Sequence, residues 1–175
     1  MDDIRTLRLS DEKAFYTFNR MLTKDKEAGN PFIQTRLIDD YSSFYQKTKQ
    51  LETLSDKSDW STMTSYYYFR NQKILAKISC RWELEKGNLS EIGGHIGYVT
   101  LSSYRRQGIV TKLLYFAFEK YKERHIYDIF ITALEDNIAS RRTIEKVGGK
   151  LQDIITLGDG KQLARYWISI EGASK

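Results

Sequence analysis

Cysteine and proline are almost missing from this 175-residue sequence: each occurs once, as Cys80 and Pro31. A single cysteine cannot close an intrachain disulfide, so the fold must rest on a buried core, which a chain of this length can supply. Cys80 lies in the alternating run "KISCRWEL" and reads as a small buried strand residue rather than a catalytic thiol. Low-complexity linkers and internal repeats are also missing, and one domain spanning 1–175 is expected. No apolar run is long enough to cross a bilayer, which excludes a membrane-spanning partner role. The opening "MDDIRTLRLSDEK" has acids where a secretory signal needs basic residues and a long apolar block, so a cytoplasmic location is expected. There is no glycine-rich loop ending in Gly-Lys-Ser/Thr and no Gly-x-Gly-x-x-Gly, which removes nucleotide triphosphatases and dinucleotide dehydrogenases. The only histidines, His95 and His125, are not closely spaced with cysteines and carboxylates, and no metal site is expected.

What is present is an ordinary globular composition, 41% apolar and 29% charged, with 28 basic and 23 acidic residues. The net charge of +5 suits an anionic ligand and falls short of the basic blocks of nucleic-acid tails. Two arginine pairs concentrate it, Arg105 with Arg106 and Arg141 with Arg142. The three tryptophans and twelve tyrosines are spread through strand-like runs, which argues for sheet packing before a base-stacking platform.

Periodicity orders the chain. "IRTLRL" alternates as a strand, and Ser10 before "DEKAFYTFNRMLTKD" predicts a capped helix with acids in its first turn. "DDYSSFYQKTKQLE" predicts a second helix. "SYYYFRNQKILAKISCRWEL" predicts an antiparallel hairpin around Arg-Asn-Gln-Lys, "EKGNLSEIGG" a loop, and "HIGYVTL" another strand. From Gly108 the period becomes helical to about Arg124. A strand "DIFITAL", a helix "NIASRRTIEKVGG" closed by a glycine pair, and a hairpin turning at "GDGK" complete an α/β chain with helices on both faces of its sheet.

The stretch "YRRQG" between strand and helix carries the chemistry. The first N–H groups of a helix have no partner in its own ladder, and the helix dipole adds positive charge there. Gly108 admits a ligand close to the backbone, and the arginines add charge-assisted hydrogen bonds, which favours a pyrophosphate over a carboxylate. The plain alternative is a solvated basic turn.

With these residues in view, "YVTLSSYRRQGIVTKLL" followed by "ITALEDNIASRRTIEKVGGKL" resembles the acetyl-CoA-binding core of the GNAT superfamily of N-acyltransferases. Arg105, Gly108 and Val110 occupy the marked positions of its Arg/Gln-x-x-Gly-x-Gly/Ala pattern, with Val110 departing from it and narrowing the approach. The resemblance runs from about residue 4 to 170, and "GGHIGY" and "RYWI" are similar to a bacterial subgroup whose members mostly lack an assigned substrate. It implies a mixed, mostly antiparallel central sheet of about seven strands. It also implies acetyl-CoA, or coenzyme A, as cosubstrate. The amides of Arg106, Gln107, Gly108, Ile109, Val110 and Thr111 would wrap the pyrophosphate with Arg105 beside them. Val99 and Thr100 would pair with the pantetheine arm, and Asn137 and Ser140 would meet it from the second helix. On residue type alone, Asn137 reads as a helix N-cap and Ser140 as a solvated side chain.

The implied reaction is direct transfer of an acetyl group to a primary amine of a small molecule, peptide or protein. It needs a base for the ammonium and a donor for the oxyanion. His95 has a suitable intrinsic pKa but sits on the strand face opposite to Gly94, Ile96 and Tyr98, the set that similar enzymes use; a bulge at Gly93-Gly94 would turn it round. A buried structural histidine is the competing reading. Glu91 is the second candidate base, against a plain solvated acid. Similar enzymes place a tyrosine on the last helix to protonate the thiolate; the matching position here is Ile144. Phe32, Tyr41, Trp60, Tyr66 to Tyr68, Trp82 and Trp167 line an amine pocket or belong to the core. Two other functions stay open: a non-catalytic acyl-CoA-binding or sensory module, favoured by Ile144 and Val110, and a nucleic-acid-binding domain, which no motif supports. A homodimer is compatible with the sequence, which does not set the oligomeric state.

Overall fold

The computed structural model describes residues 1–170; the last five residues of the expected 1–175 domain lie outside the described residues. The chain runs β1 (Asp2–Arg5), α1 (Glu12–Glu27), α2 (Tyr41–Leu51), β2 (Met63–Arg70), β3 (Lys73–Arg81), β4 (Ile96–Thr100), α3 (Ile109–Glu123), β5 (Asp128–Leu134), α4 (Ile138–Lys146), β6 (Lys150–Thr156) and β7 (Gln162–Ser169). The α/β order and the seven strands agree with the expectation. The strands form a four-stranded sheet, β1-β2-β3-β4, and a three-stranded sheet, β5-β7-β6, and every pairing in both is antiparallel.

Local chemistry explains where the boundaries differ from the sequence pattern. β1 stops at Arg5 instead of continuing through Leu9, because Asp11 folds back on it: its carboxylate accepts from the Arg8 backbone N–H at 2.7 Å and from the Arg5 guanidinium at 2.7 and 3.0 Å. Ser10 therefore lies inside a 3-10 turn, Leu9–Asp11, and α1 begins at Glu12. α2 is capped as its sequence suggests, by Asp40 accepting from Ser43 N–H at 3.0 Å. The β2–β3 hairpin turns on two residues alone, Asn71 (φ 49°) and Gln72 (φ 64°), both left-handed as this tight turn requires. The segment expected as a loop before β4 contains one π-helical turn, Leu89–Gly93, closed by Gly94 N–H on Leu89 C=O at 2.7 Å.

Strand alternation sorts the core into two layers. Tyr67, Phe69, Ile74 and Leu101 pack under α1 and α2 with Phe15, Phe18 and Tyr41. Tyr68, Ile78, Cys80 and Ile96 face α3, whose Leu113, Leu114, Phe118 and Tyr121 continue into Ile131, Ile144 and Tyr166. Helices thus lie on both faces. Cys80 is fully buried, and burial pushes its thiol up to about 12, which leaves it inert at neutral pH. No described helix is long and apolar enough to cross a membrane.

Candidate active site

The loop between β4 and α3 has the geometry its sequence suggests. After the 3-10 turn Ser102–Tyr104, Arg105 is extended, Arg106 is left-handed at φ 61°, and Gly108 is left-handed at φ 74° as it enters α3. Among the described residues, no backbone N–H from Arg106 to Thr111 finds a partner, and the helix ladder opens only with Lys112 N–H on Gly108 C=O at 3.1 Å. Arg105, Arg106, Gln107 and Gly108 are exposed, and a Cβ at Gly108 would meet nothing within 4 Å. Ile109 is buried and Val110 packs against the α3 core. The valine that departs from the family pattern therefore turns inward, and the expected narrowing of the approach is corrected.

The loop is braced from outside. Arg70 donates to Gln107 Oε1 at 3.0 Å and pairs with Asp2 at 2.8 Å. Asp25 at the end of α1 accepts from Ser102 N–H at 2.8 Å and from its hydroxyl at 2.5 Å. Lys112 adds an exposed cation, 3.8 Å from Asp2. None of these long-range braces is encoded near the loop.

Beside the loop lies an open strand edge. Leu101 N–H donates to Leu75 C=O at 3.0 Å, and the register pairs Val99 with Lys77 and Thr100 with Ala76. Hydrogen-bonding direction alternates along an antiparallel ladder, so the polar backbone groups of Val99 and Leu101 face β3 while those of Tyr98 and Thr100 face the gap toward β5. Of the two strand residues expected along the pantetheine arm, Thr100 presents its backbone to the gap and Val99 does not; Tyr98 takes that place. The Thr100 hydroxyl is buried without a partner. Across the gap, Glu135 N–H on Gln162 C=O sets the same alternation in β5, and Thr132 and Leu134 face β4.

The two sheets meet at the narrow end of this gap. His95 N–H donates to Phe130 C=O at 2.7 Å, and His95 Nδ1 accepts from Phe130 N–H at 2.9 Å. The ring is 4% exposed and stands edge-on to Tyr121, which donates to the His95 carbonyl at 2.8 Å. The turn at Gly94 (φ 68°) does rotate the histidine toward α3, yet it rotates it into the core. Burial holds its pKa down to about 4, and Nδ1 is already occupied as an acceptor, so this histidine splices strands and is not free to take a proton from an amine.

Glu91 lies on the π-helical turn, exposed. The turn is held by side chains from three strands: Arg81 of β3 donates to the Gly93 and Gly94 carbonyls, both at 3.2 Å, Thr132 of β5 to Ile92 at 2.6 Å, and Arg165 of β7 to Glu91 at 3.3 Å. The backbone carrying Glu91 is therefore fixed while its carboxylate faces solvent.

On α4, Asn137 accepts from Ser140 N–H at 3.3 Å, a helix cap. The Ser140 hydroxyl is in contact with the Tyr98 hydroxyl, which closes the gap on the α3 side. Ile144 is fully buried and turned into the core, so that position does not face the gap. Arg141 is committed to Tyr166 at 2.8 Å and to the Glu135 carbonyl at 3.2 Å, which separates its role from that of the arginines at the loop. Of the candidate pocket aromatics, Tyr41, Tyr67, Tyr68 and Trp82 are core, Tyr66 packs edge-on against Phe116, Trp60 is exposed, and Trp167 is half-exposed over Phe130. Phe32 lines a cavity of about 210 Å³ with Leu134 and Gln162.

Comparison with known proteins bears on this geometry. The model of the Acetyltransferase (GNAT) family matches residues 34–149. Among solved structures, an acetyltransferase from Salmonella typhimurium that modifies the N-terminal serine of ribosomal protein L7/L12 superposes with a TM-score of 0.71 at 17% identity, covering 97% of this chain and 95% of that one. The ribosomal-protein-S18-alanine N-acetyltransferase of Escherichia coli gives 0.58 at 14%, covering 100% and 97%. A putative acetyltransferase from Salmonella typhimurium, solved with acetyl-CoA, gives 0.65 at 12%, covering 99% and 96%. At such identities the likeness establishes the fold. No curated protein matches the sequence.

Proposed function

Since the chain belongs to the GNAT acetyltransferase family, we propose that it moves an acetyl group from acetyl-CoA to a primary amine by direct attack. One observation carries this reading: the unpaired N–H groups of residues 106–111, ringed by arginines, lie beside the open edge of β4. Pyrophosphate oxygens suit the N–H groups and the end of the α3 dipole, and the open space at Gly108 suits their close approach. The amide-bearing pantetheine arm suits the strand edge at Tyr98 and Thr100. The solved neighbour containing acetyl-CoA supports the choice of cosubstrate.

In the reaction, the amine lone pair attacks the thioester carbonyl, the C–N bond forms, and the C–S bond breaks as the tetrahedral centre collapses. A main-chain N–H at the β4 edge is placed to stabilise the oxyanion. Glu91, on its fixed turn, is the base we assign to the ammonium proton; His95 is left to hold the strands. The Tyr98 hydroxyl, pushed up to about 12 by burial, keeps its proton at neutral pH and is the donor we assign to the departing thiolate. Asn137 and Ser140 flank the arm from α4. The acceptor class includes peptide and protein amines, supported by neighbours that act on ribosomal proteins, as well as small-molecule amines. A cytoplasmic location and a single catalytic domain belong to the same proposal.

Thermal-shift titration with acetyl-CoA, coenzyme A and dephosphorylated analogues, followed by thiol-release assays on an amine library, tests it. Stabilisation by coenzyme A and thiol release with an amine are expected. No stabilisation at millimolar coenzyme A would overturn the assignment.

A further inference from the structure

The face of the four-stranded sheet opposite α3 carries an unused cation. Lys77, Ser79 and Arg81 alternate along β3 on the side that also bears Tyr67, Ser65, Gly97 and Val99. Lys77 is half-buried, and among the described residues its ammonium makes no hydrogen bond and no ion pair; the Tyr67 ring centroid lies 5.8 Å from it. Arg81 lies against Gly97, where an added Cβ would stand 3.4 Å from its Nη2, and it donates only to the neutral carbonyls of Gly93 and Gly94. Asp153, on β6 of the other sheet, is paired with Arg165 at 2.6 Å. The result is two cations on one partly covered face, with no carboxylate paired to either among the described residues. Burial and the Arg81 charge already press on the Lys77 ammonium, lowering its pKa to about 8. A half-buried ammonium loses part of its hydration, and nothing within the described chain supplies a countercharge in exchange.

Position says what would. Lys77 is the cross-strand partner of Val99, one strand spacing of about 4.8 Å from the β4 edge where the proposed thioester would lie. Resting on the proposed acetyl transfer, we infer that Lys77, supported by Arg81, binds a carboxylate carried by the acceptor a few atoms from its reacting amine. The acceptor class is thus an amine that is also an acid: a free amino acid, or a peptide whose first residues carry an acidic side chain. The pyrophosphate loop lies beyond the end of β4 and has its own donors, so the two anion sites are separate.

The test compares initial rates of thiol release for free amino acids against their amides, and for N-terminal peptides with Asp against Asn at the second residue, which tells the two sources apart. Wild type, Lys77→Met and Lys77→Arg are used. In wild type, removing the carboxylate in one arm raises KM by about tenfold or more. Lys77→Met abolishes that discrimination by raising KM for the acids alone, and Lys77→Arg restores part of it. Equal use of acid and amide by wild type in both arms overturns the inference, as does a Lys77→Met variant in which kcat falls alike for both. Calorimetric titration of N-acetylated amino acids and their amides into coenzyme A-saturated protein provides the same comparison without turnover, and binding of neither form counts against the inference. Coenzyme A thermal shift separates the two failures: its loss in wild type removes the transferase assignment, whereas an intact shift with indifference to the carboxylate removes only the role of Lys77.

Discussion

His95 holds Phe130 by both polar groups of its backbone, N–H to carbonyl at 2.7 Å and ring Nδ1 to N–H at 2.9 Å. The second bond requires an unprotonated Nδ1, and burial keeps the ring neutral down to about pH 4 against an ordinary value of 6.5. A histidine with a depressed folded pKa contributes stability that is full above the unfolded pKa and fades as pH falls from about 6.5 toward 4. Chemical denaturation of wild type should weaken over that window by about 2–3 kcal/mol. His95→Ala should be less stable by about 2–4 kcal/mol at pH 7.5 and should lose most of that pH dependence.

Gly108→Asp brings negative charge to the donors of the loop. The left-handed φ of 74° is tolerated by Asp and Asn, and no atom obstructs a side chain there, so the fold should survive with a loss of about 1 kcal/mol. Coenzyme A should no longer raise Tm in Gly108→Asp, while Gly108→Asn keeps part of the shift. Equal shifts in all three proteins would mean that the loop does not bind the diphosphate.

Tyr98→Phe removes the hydroxyl that meets Ser140 without opening a cavity. If that hydroxyl protonates the thiolate, steady-state kinetics should show kcat falling tenfold or more, on the scale of general acid catalysis, with KM for acetyl-CoA nearly unchanged. An unchanged kcat would reduce Tyr98 to packing.

Glu91→Gln leaves the π-helical turn intact, because the side chains that hold it bind main-chain carbonyls. The expected result is a drop in kcat of about 10²-fold with a wild-type response to coenzyme A. A variant that retains full activity would exclude Glu91 as the base.

Much of this was legible in the sequence where the determinants are local. Gly108, the arginines and the change from strand to helix period define the loop without reference to any distant residue. Val99 shows the limit: alternation divides β4 into two sets, but only the Leu101–Leu75 bond decides which set faces the gap. The π-helical turn read as a loop because Arg81, Thr132 and Arg165 reach it from three different strands. The two-residue turn was hidden because Gln72 is a poor signature for a left-handed position. Ile144 looked like a missing acid until its burial showed which way that side of α4 points. Lys77 carries no signal in its alternating strand, since a sequence does not reveal that a cation lacks a partner.

Among the described residues, the hydrogen bonds that stitch the two sheets lie at one end, in His95 on Phe130 and in the turn that Arg81, Thr132 and Arg165 grip together. The space between β4 and β5 is consequently a wedge with a closed apex and a mouth at the arginine loop. A wedge imposes a direction of entry: a long molecule with a slender tail and a bulky charged head goes in tail first, and the head is stopped at the rim. For the proposed cosubstrate, such a shape would carry the thioester end toward the apex and leave the diphosphate at the rim, before any single contact has selected either.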